Sequence, residues 1–131
     1  MPTFDHAANR ANELREAARG LAHASRDLDD PRAIYPVIGS LSLALNSMAQ
    51  VLHQLGAAHD HAPSTGMPSA VGRDSRATSA QVSWELHRAA EMLTQVGATV
   101  DRAHQLEAAV TYDVHLPVTP PPTRHESGLS L

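Results

Sequence analysis

The residues of this chain that could do chemistry are histidines set beside carboxylates. His59, Asp60 and His61 are consecutive, as in a small metal clip. His87 and Glu91 are four residues apart, and His104 and Glu107 are three apart, so on a helix each pair shares one face. Two such pairs on one helix are an ingredient of di-metal bundles, but those sites take inward-facing carboxylates from several helices. The upstream helices offer only Glu13 and Glu16. The His59 clip falls in a predicted loop with no third ligand beside it, fewer donors than a structural zinc requires. We therefore assign no metal ligand and no cofactor, and read both helix pairs as local pairing at the surface. A metal- or small-ligand-binding bundle built on His87, Glu91, His104 or the His59 segment is kept as an alternative.

Other chemistry has less to stand on. The chain has no Gly-x-Ser-x-Gly turn, no glycine-rich phosphate loop and no His-Glu-x-x-His segment, so no catalytic residue is assigned and a non-enzymatic role is expected. Arg15, Arg19 and Arg26 fall along one stripe of the first predicted helix and are candidate phosphate contacts. Glu13, Glu16, Asp27 and Asp29 surround them, which favours a mixed solvated face over a nucleic-acid surface. An accessory nucleic-acid-associated factor is the alternative that stripe supports.

The whole-chain composition narrows the classes further. In 131 residues there are ten basic and 14 acidic side chains, for a formal net charge of −4, the reverse of the basic face that general nucleic-acid binding needs. Every basic residue is arginine, which together with abundant alanine points to a GC-rich, bacterial coding sequence. With no cysteine, disulfides and thiolate metal sites are excluded. Aromatics are confined to Phe4, Tyr35, Trp84 and Tyr112, and a core built from Leu, Ile, Val and Ala suits helices better than strands. Met1 to Asp5 carry no basic region leading into an apolar run, so a cytoplasmic location is expected. Residues 33–58 lack Asp, Glu, Lys and Arg, but Ser40, Ser42, Asn46, Ser47, Gln50, His53 and Gln54 load that stretch too heavily for a lipid-exposed span.

The elements that must position these groups are legible from periodicity. A first helix is expected over about 5–28, capped by Thr3 or Asp5, with a thin seam of Phe4, Ala7, Ala11, Leu14, Ala18, Leu21, Ser25 and Leu28. Asp30 followed by Pro31 reads as a helix start, and Pro36 should delay a regular second helix to about 36–58. That helix carries the clearest stripe, Ile34, Ile38, Leu41, Leu45, Met48, Leu52 and Leu55, with a second beside it formed by Val37, Ala44, Val51 and Ala58. Two stripes suit a helix with two partners. A loop over 59–74 holds Pro63, Gly66, Pro68 and Gly72. A third helix over about 76–109, opened by Thr78 and Gln81 at capping-box spacing, carries Val82, Leu86, Ala89, Leu93, Val96, Val100 and Ala103 and could break near Gly97. Trp84 lies off that seam with Met92 almost in line, as a boundary residue or an interface anchor. Val110, Tyr112, Val114, Leu116 and Val118 alternate as in a strand, but without a second strand, and with Pro120 to Pro122 following, a flexible tail over 112–131 is the plainer reading.

These observations together predict an all-α up-down bundle of three main helices over 1–111, with the first two helices tightly antiparallel. They point to a protein-interaction or assembly protein that pairs with itself, most simply as a homodimer, with no membrane partner. The candidate interface residues are Trp84, Met92, Val37, Ala44 and Val51.

Overall fold

The computed structural model describes residues 4–61, 70–113 and 120–122, and among these the chain is all α-helical. Three α-helices appear in order: α1 (Phe4–Ala24), α2 (Ile34–Asp60) and α3 (Ala70–Glu107), with a 3-10 turn, Pro31–Ala33, leading into α2. Thr3, the 62–69 segment with Pro63, Gly66 and Pro68, and Val114, Leu116 and Val118 lie outside the described residues.

Asp30 caps as its spacing predicts. Its carboxylate accepts from the Arg32 backbone N–H at 3.0 Å and from the Arg32 guanidinium at 2.9–3.1 Å. Those bonds hold the Asp30 carboxyl below the usual carboxylate range. The second helix then begins at Ile34, earlier than the expected 36, because Pro36 falls in the first turn, where backbone N–H groups have no intrahelical partner to lose. It runs to Asp60, and α3 begins at Ala70, so the expected 59–74 loop is much shorter and the His59 clip belongs to the last turn of a helix and its C-cap. Thr78 lies inside α3 and donates its hydroxyl to the Asp74 carbonyl at 2.9 Å, so it is no cap. The first helix stops at Ala24, short of 28. Gly97 does not break α3, whose 38 residues are continuous.

The packing has one centre, the pairing of α2 with α3. Gly39 lies against His104, Asn46 against Gly97 and Gly56 against His87, a descending register that makes the pair antiparallel. Among the described residues only small ones are fully enclosed: Ser42, Ala49 and Gly56 on α2, and Ser83, Ala90 and Gly97 on α3, each set spaced by seven. A seven-residue repeat keeps them on one seam, and short side chains let two backbones approach closely. The Leu and Ile stripe flanks this seam. Ile34, Ile38, Leu45, Met48 and Leu52 are half-buried, whereas Leu41 and Leu55 are exposed. Val37 and Ala44 of the second stripe are half-buried and Val51 is exposed. Two helices cannot enclose a stripe this wide, so its outer half stays open.

The tight antiparallel pair thus joins α2 to α3, not the first helix to the second. Among the described residues α1 packs on neither of them. From His6 onward its side chains are exposed except Leu21, which is half-buried. Alanine content and Arg10–Glu13 pairing at 3.0 Å support it locally.

Candidate functional site

The residues with chemistry gather where α2 ends against the first half of α3. Helical periodicity carries His53 and Asp60, seven apart on α2, to the edge that meets Ser83, His87 and Glu91, four apart on α3. The contacts form an unbroken file. The Ser83 hydroxyl donates to Asp60 Oδ1 at 2.5 Å. His87 Nε2–H donates to Asp60 Oδ2 at 3.2 Å. His87 Nδ1 lies 2.9 Å from His53 Nδ1, and His53 Nε2 lies 3.4 Å from Glu91 Oε1. The two imidazoles are tilted by 38° with ring centres 5.2 Å apart. Both are half-buried, so one edge of the file meets water.

Gly56 makes room for this arrangement. A Cβ on it would sit 2.8 Å from His87 Nε2 and 3.0 Å from two ring carbons, so the imidazole lies where a side chain on α2 would otherwise be. The Ser83 and His87 bonds to Asp60 stabilise its carboxylate and hold its carboxyl below the usual range. The file differs from an acyl-transfer triad: the Ser83 hydroxyl donates its hydrogen bond to a carboxylate and not to an imidazole, and both His87 nitrogens have other partners.

The sequence pairs rearrange accordingly. Glu91 faces His53 across the helices, and His87 goes to Asp60 instead of Glu91. His59, at the same end, shares a hydrogen bond with the Ser79 hydroxyl at 2.9 Å. His104 stacks on Tyr35 with ring centres 4.1 Å apart, and Glu107 instead accepts from the Tyr112 hydroxyl, which pushes that phenol's pKa up. Sequence reasoning counted His53 only among the polar residues of 33–58 and did not single it out as a site residue. Its signal was the heptad of Gly39, Asn46, His53 and Asp60 on α2, a polar and small repeat beside the more conspicuous leucines. Among the described residues no three potential ligands converge as a metal-binding group.

The other candidates lie apart from the file. Arg15 and Arg19 each stand 3.9 Å from Glu16, an exposed and partly neutralised set, and Arg26 is exposed beyond the end of α1. Trp84 is 60% exposed and Met92 57% exposed. The Arg88 guanidinium lies over the Trp84 ring, 5.3 Å from its centre. Met92 and Val96 border a shallow groove on the outer face of α3, with Gln95, Thr99 and Val100. The stretch Pro31–Asp60 is long and apolar enough, by length and composition, to cross a membrane, and little of it is buried. Against protein-family models, curated proteins and solved structures, the chain matches none.

Proposed function

We propose that this chain is a non-enzymatic assembly protein whose α2–α3 hairpin pairs with a second copy of itself. The observation that carries this reading is the poverty of the enclosed core: among the described residues, only Ala49 and Ala90 are buried apolar side chains. Leu43, Val51 and Leu55 on α2, and Trp84, Met92 and Val96 on α3, are exposed instead. Each such side chain, once covered, adds about 1.5–3 kcal/mol. A second copy fits the outer stripe of α2 because residues 33–58 carry no Asp, Glu, Lys or Arg, so two identical faces meet across a two-fold axis without like-charge repulsion. The polar residues spread along the same helix, Ser40, Asn46, Ser47, Gln50 and Gln54 among them, favour a protein partner over lipid chains.

The test is the mass of the untagged full chain in solution. Sedimentation at high micromolar concentration is expected to give a dimer, and Val51→Glu with Leu55→Glu is expected to return it to monomer with its helix content retained. A wild-type chain that stays monomeric at that concentration overturns the reading.

The first helix has a separate part in this proposal. Leu14, Leu21 and Leu28 recur every seven residues on a chain segment that is otherwise alanine-rich and charged. That stripe supports α1 as the third helix of an up-down bundle once its partner face is assembled. A chain lacking residues 1–28 is then expected to dimerise still, with a lower melting temperature.

A further inference from the structure

The geometry points to one broad face of the hairpin, the face opposite the His53–His87 file, as the place where a second copy sits and closes a four-helix bundle. This placement rests on the self-association proposed above and adds which surface meets which. The small seam between α2 and α3 has two sides. On α2, Asn46, His53 and Asp60 run along one side, and the stripe from Ile34 to Leu55 runs along the other. On α3, His87, Glu91 and Thr94 take one side, and the stripe from Val82 to Val100 takes the other. The His53–His87 and Asp60–His87 hydrogen bonds fix how these sides pair. The polar sides of both helices share one broad face, so the two apolar stripes share the opposite one.

Charge, size and shape select the occupant. Neither apolar stripe contains an Asp, Glu or Arg, whereas the other face carries Asp60, Glu91 and Asp101. Two copies laid polar face to polar face would bring like carboxylates together; two apolar faces meet without that cost. Leu45, Leu52, Leu86 and Leu93 are half-buried beside the seam, and Leu41, Leu55, Val82 and Val96 remain exposed along the rims. A face two helices wide, roughly 20 Å, and roughly 30 Å long offers about 600 Å² per copy. Two copies then bury about 1,200 Å², the lower bound for a specific, stable interface. The chain's own α1 is a poorer cover, because its only leucines are Leu14 and Leu21. Trp84 falls outside the proposed interface. It lies two residues from Leu86, on the opposite flank of α3, with the Arg88 guanidinium 5.3 Å from its ring centre.

The experiment is sedimentation equilibrium of the untagged full chain and of variants on α3, with helix content followed by circular dichroism. Val82→Glu with Val96→Glu is expected to give a monomer that keeps its helices, because both valines are already exposed in the single hairpin. Val82→Thr with Val96→Thr keeps the shape of each side chain and carries no charge, so it decides the matter if the glutamates unfold the chain. It is expected to weaken the dimer by about tenfold or more. Trp84→Ala is expected to leave the dimer unchanged. A dimer that survives both valine pairs, or one that Trp84→Ala dissociates, overturns this placement while leaving self-association intact. A monomeric full chain that dimerises once residues 1–28 are removed shows that α1 covers the face. A monomeric full chain that floats with phosphatidylcholine vesicles shows that lipid covers it. Either of these last two results overturns the placement and the self-association of the full chain together.

Discussion

The hairpin repeats one contact at two places and surrounds it differently. Near one end His104 lies over Gly39, and towards the other His87 lies over Gly56, each with the glycine's missing Cβ 2.8 Å from Nε2. At the first place the ring stacks on Tyr35, and among the described residues no side chain hydrogen-bonds it. At the second it joins His53, Asp60, Ser83 and Glu91 in one file. The backbone geometry is the same, so a histidine in a glycine slot is by itself a packing device. What turns the second place into a candidate site is the heptad on α2, which sets His53 and Asp60 beside the ring, whereas the first place has an aromatic face to rest on. The comparison locates chemistry in the neighbours of a residue, not in its own position.

The two places share the small seam between them, and breaking that seam should have the largest effect. Ala90 is fully enclosed between the helices. Ala90→Leu has no space to fill and must push α2 and α3 apart, at a cost of about 1–3 kcal/mol. Urea denaturation followed by circular dichroism at 222 nm measures it, and both the Tyr35–His104 stack and the His53–His87 contact should loosen together. If Ala90→Leu leaves stability unchanged, the close approach of the helices is not what holds the hairpin.

The glycines separate the two places more finely. Gly→Ala in a helix gains about 1 kcal/mol from propensity alone. Gly20 on α1 has nothing within 4 Å of an added Cβ, so Gly20→Ala should show that gain undiminished as added helix content. Gly39→Ala and Gly56→Ala must instead displace an imidazole, a movable group, so their net change in stability should be smaller than that gain or of opposite sign. The divergence lies in the file of side chains: Gly56→Ala should shift the imidazole NMR signals of both His53 and His87, and Gly39→Ala should shift that of His104 and leave those two alone.

How much of this could be read from sequence follows from what each pattern encodes. The helical class and the Asp30–Pro31 start were legible because periodicity and capping are local. The partner of each helix was not. Leucine stripes announce apolar faces without saying which pair closes first, and the seam that closes here is made of Ser42, Ala49, Gly56, Ser83, Ala90 and Gly97, residues that carry little hydrophobic signal. Gly97 read as a break because its propensity is poor. It is helical because the absence of a Cβ admits the Asn46 amide oxygen, which would stand 3.1 Å from one. The file of His53, Asp60 and His87 was invisible for the same reason: it joins residues 34 and 27 apart in sequence through a register that only packing sets.

The smallest expected effect sharpens the comparison through pH. Asp60 is held below the usual carboxylate range by its bonds to Ser83 and His87. A carboxyl whose pKa is lower in the folded chain than in the unfolded one stabilises the fold above the unfolded value, and that contribution disappears as pH falls through the folded value. Stability should therefore lose a component on acidification below about pH 4, and Asp60→Asn should remove that component while leaving the remaining acid dependence in place. Because Asp60 is solvent-exposed, the effect is modest, and the measurement is the difference in urea midpoint between wild type and Asp60→Asn along a pH series. Tyr35→Ala supplies the contrasting arm. It removes the surface on which His104 rests, a contact with no carboxylate in it, so it should lower the midpoint by the same amount at every pH in that range. If the two substitutions instead give parallel pH profiles, the two histidine slots are held in the same way, and the distinction drawn between them is wrong.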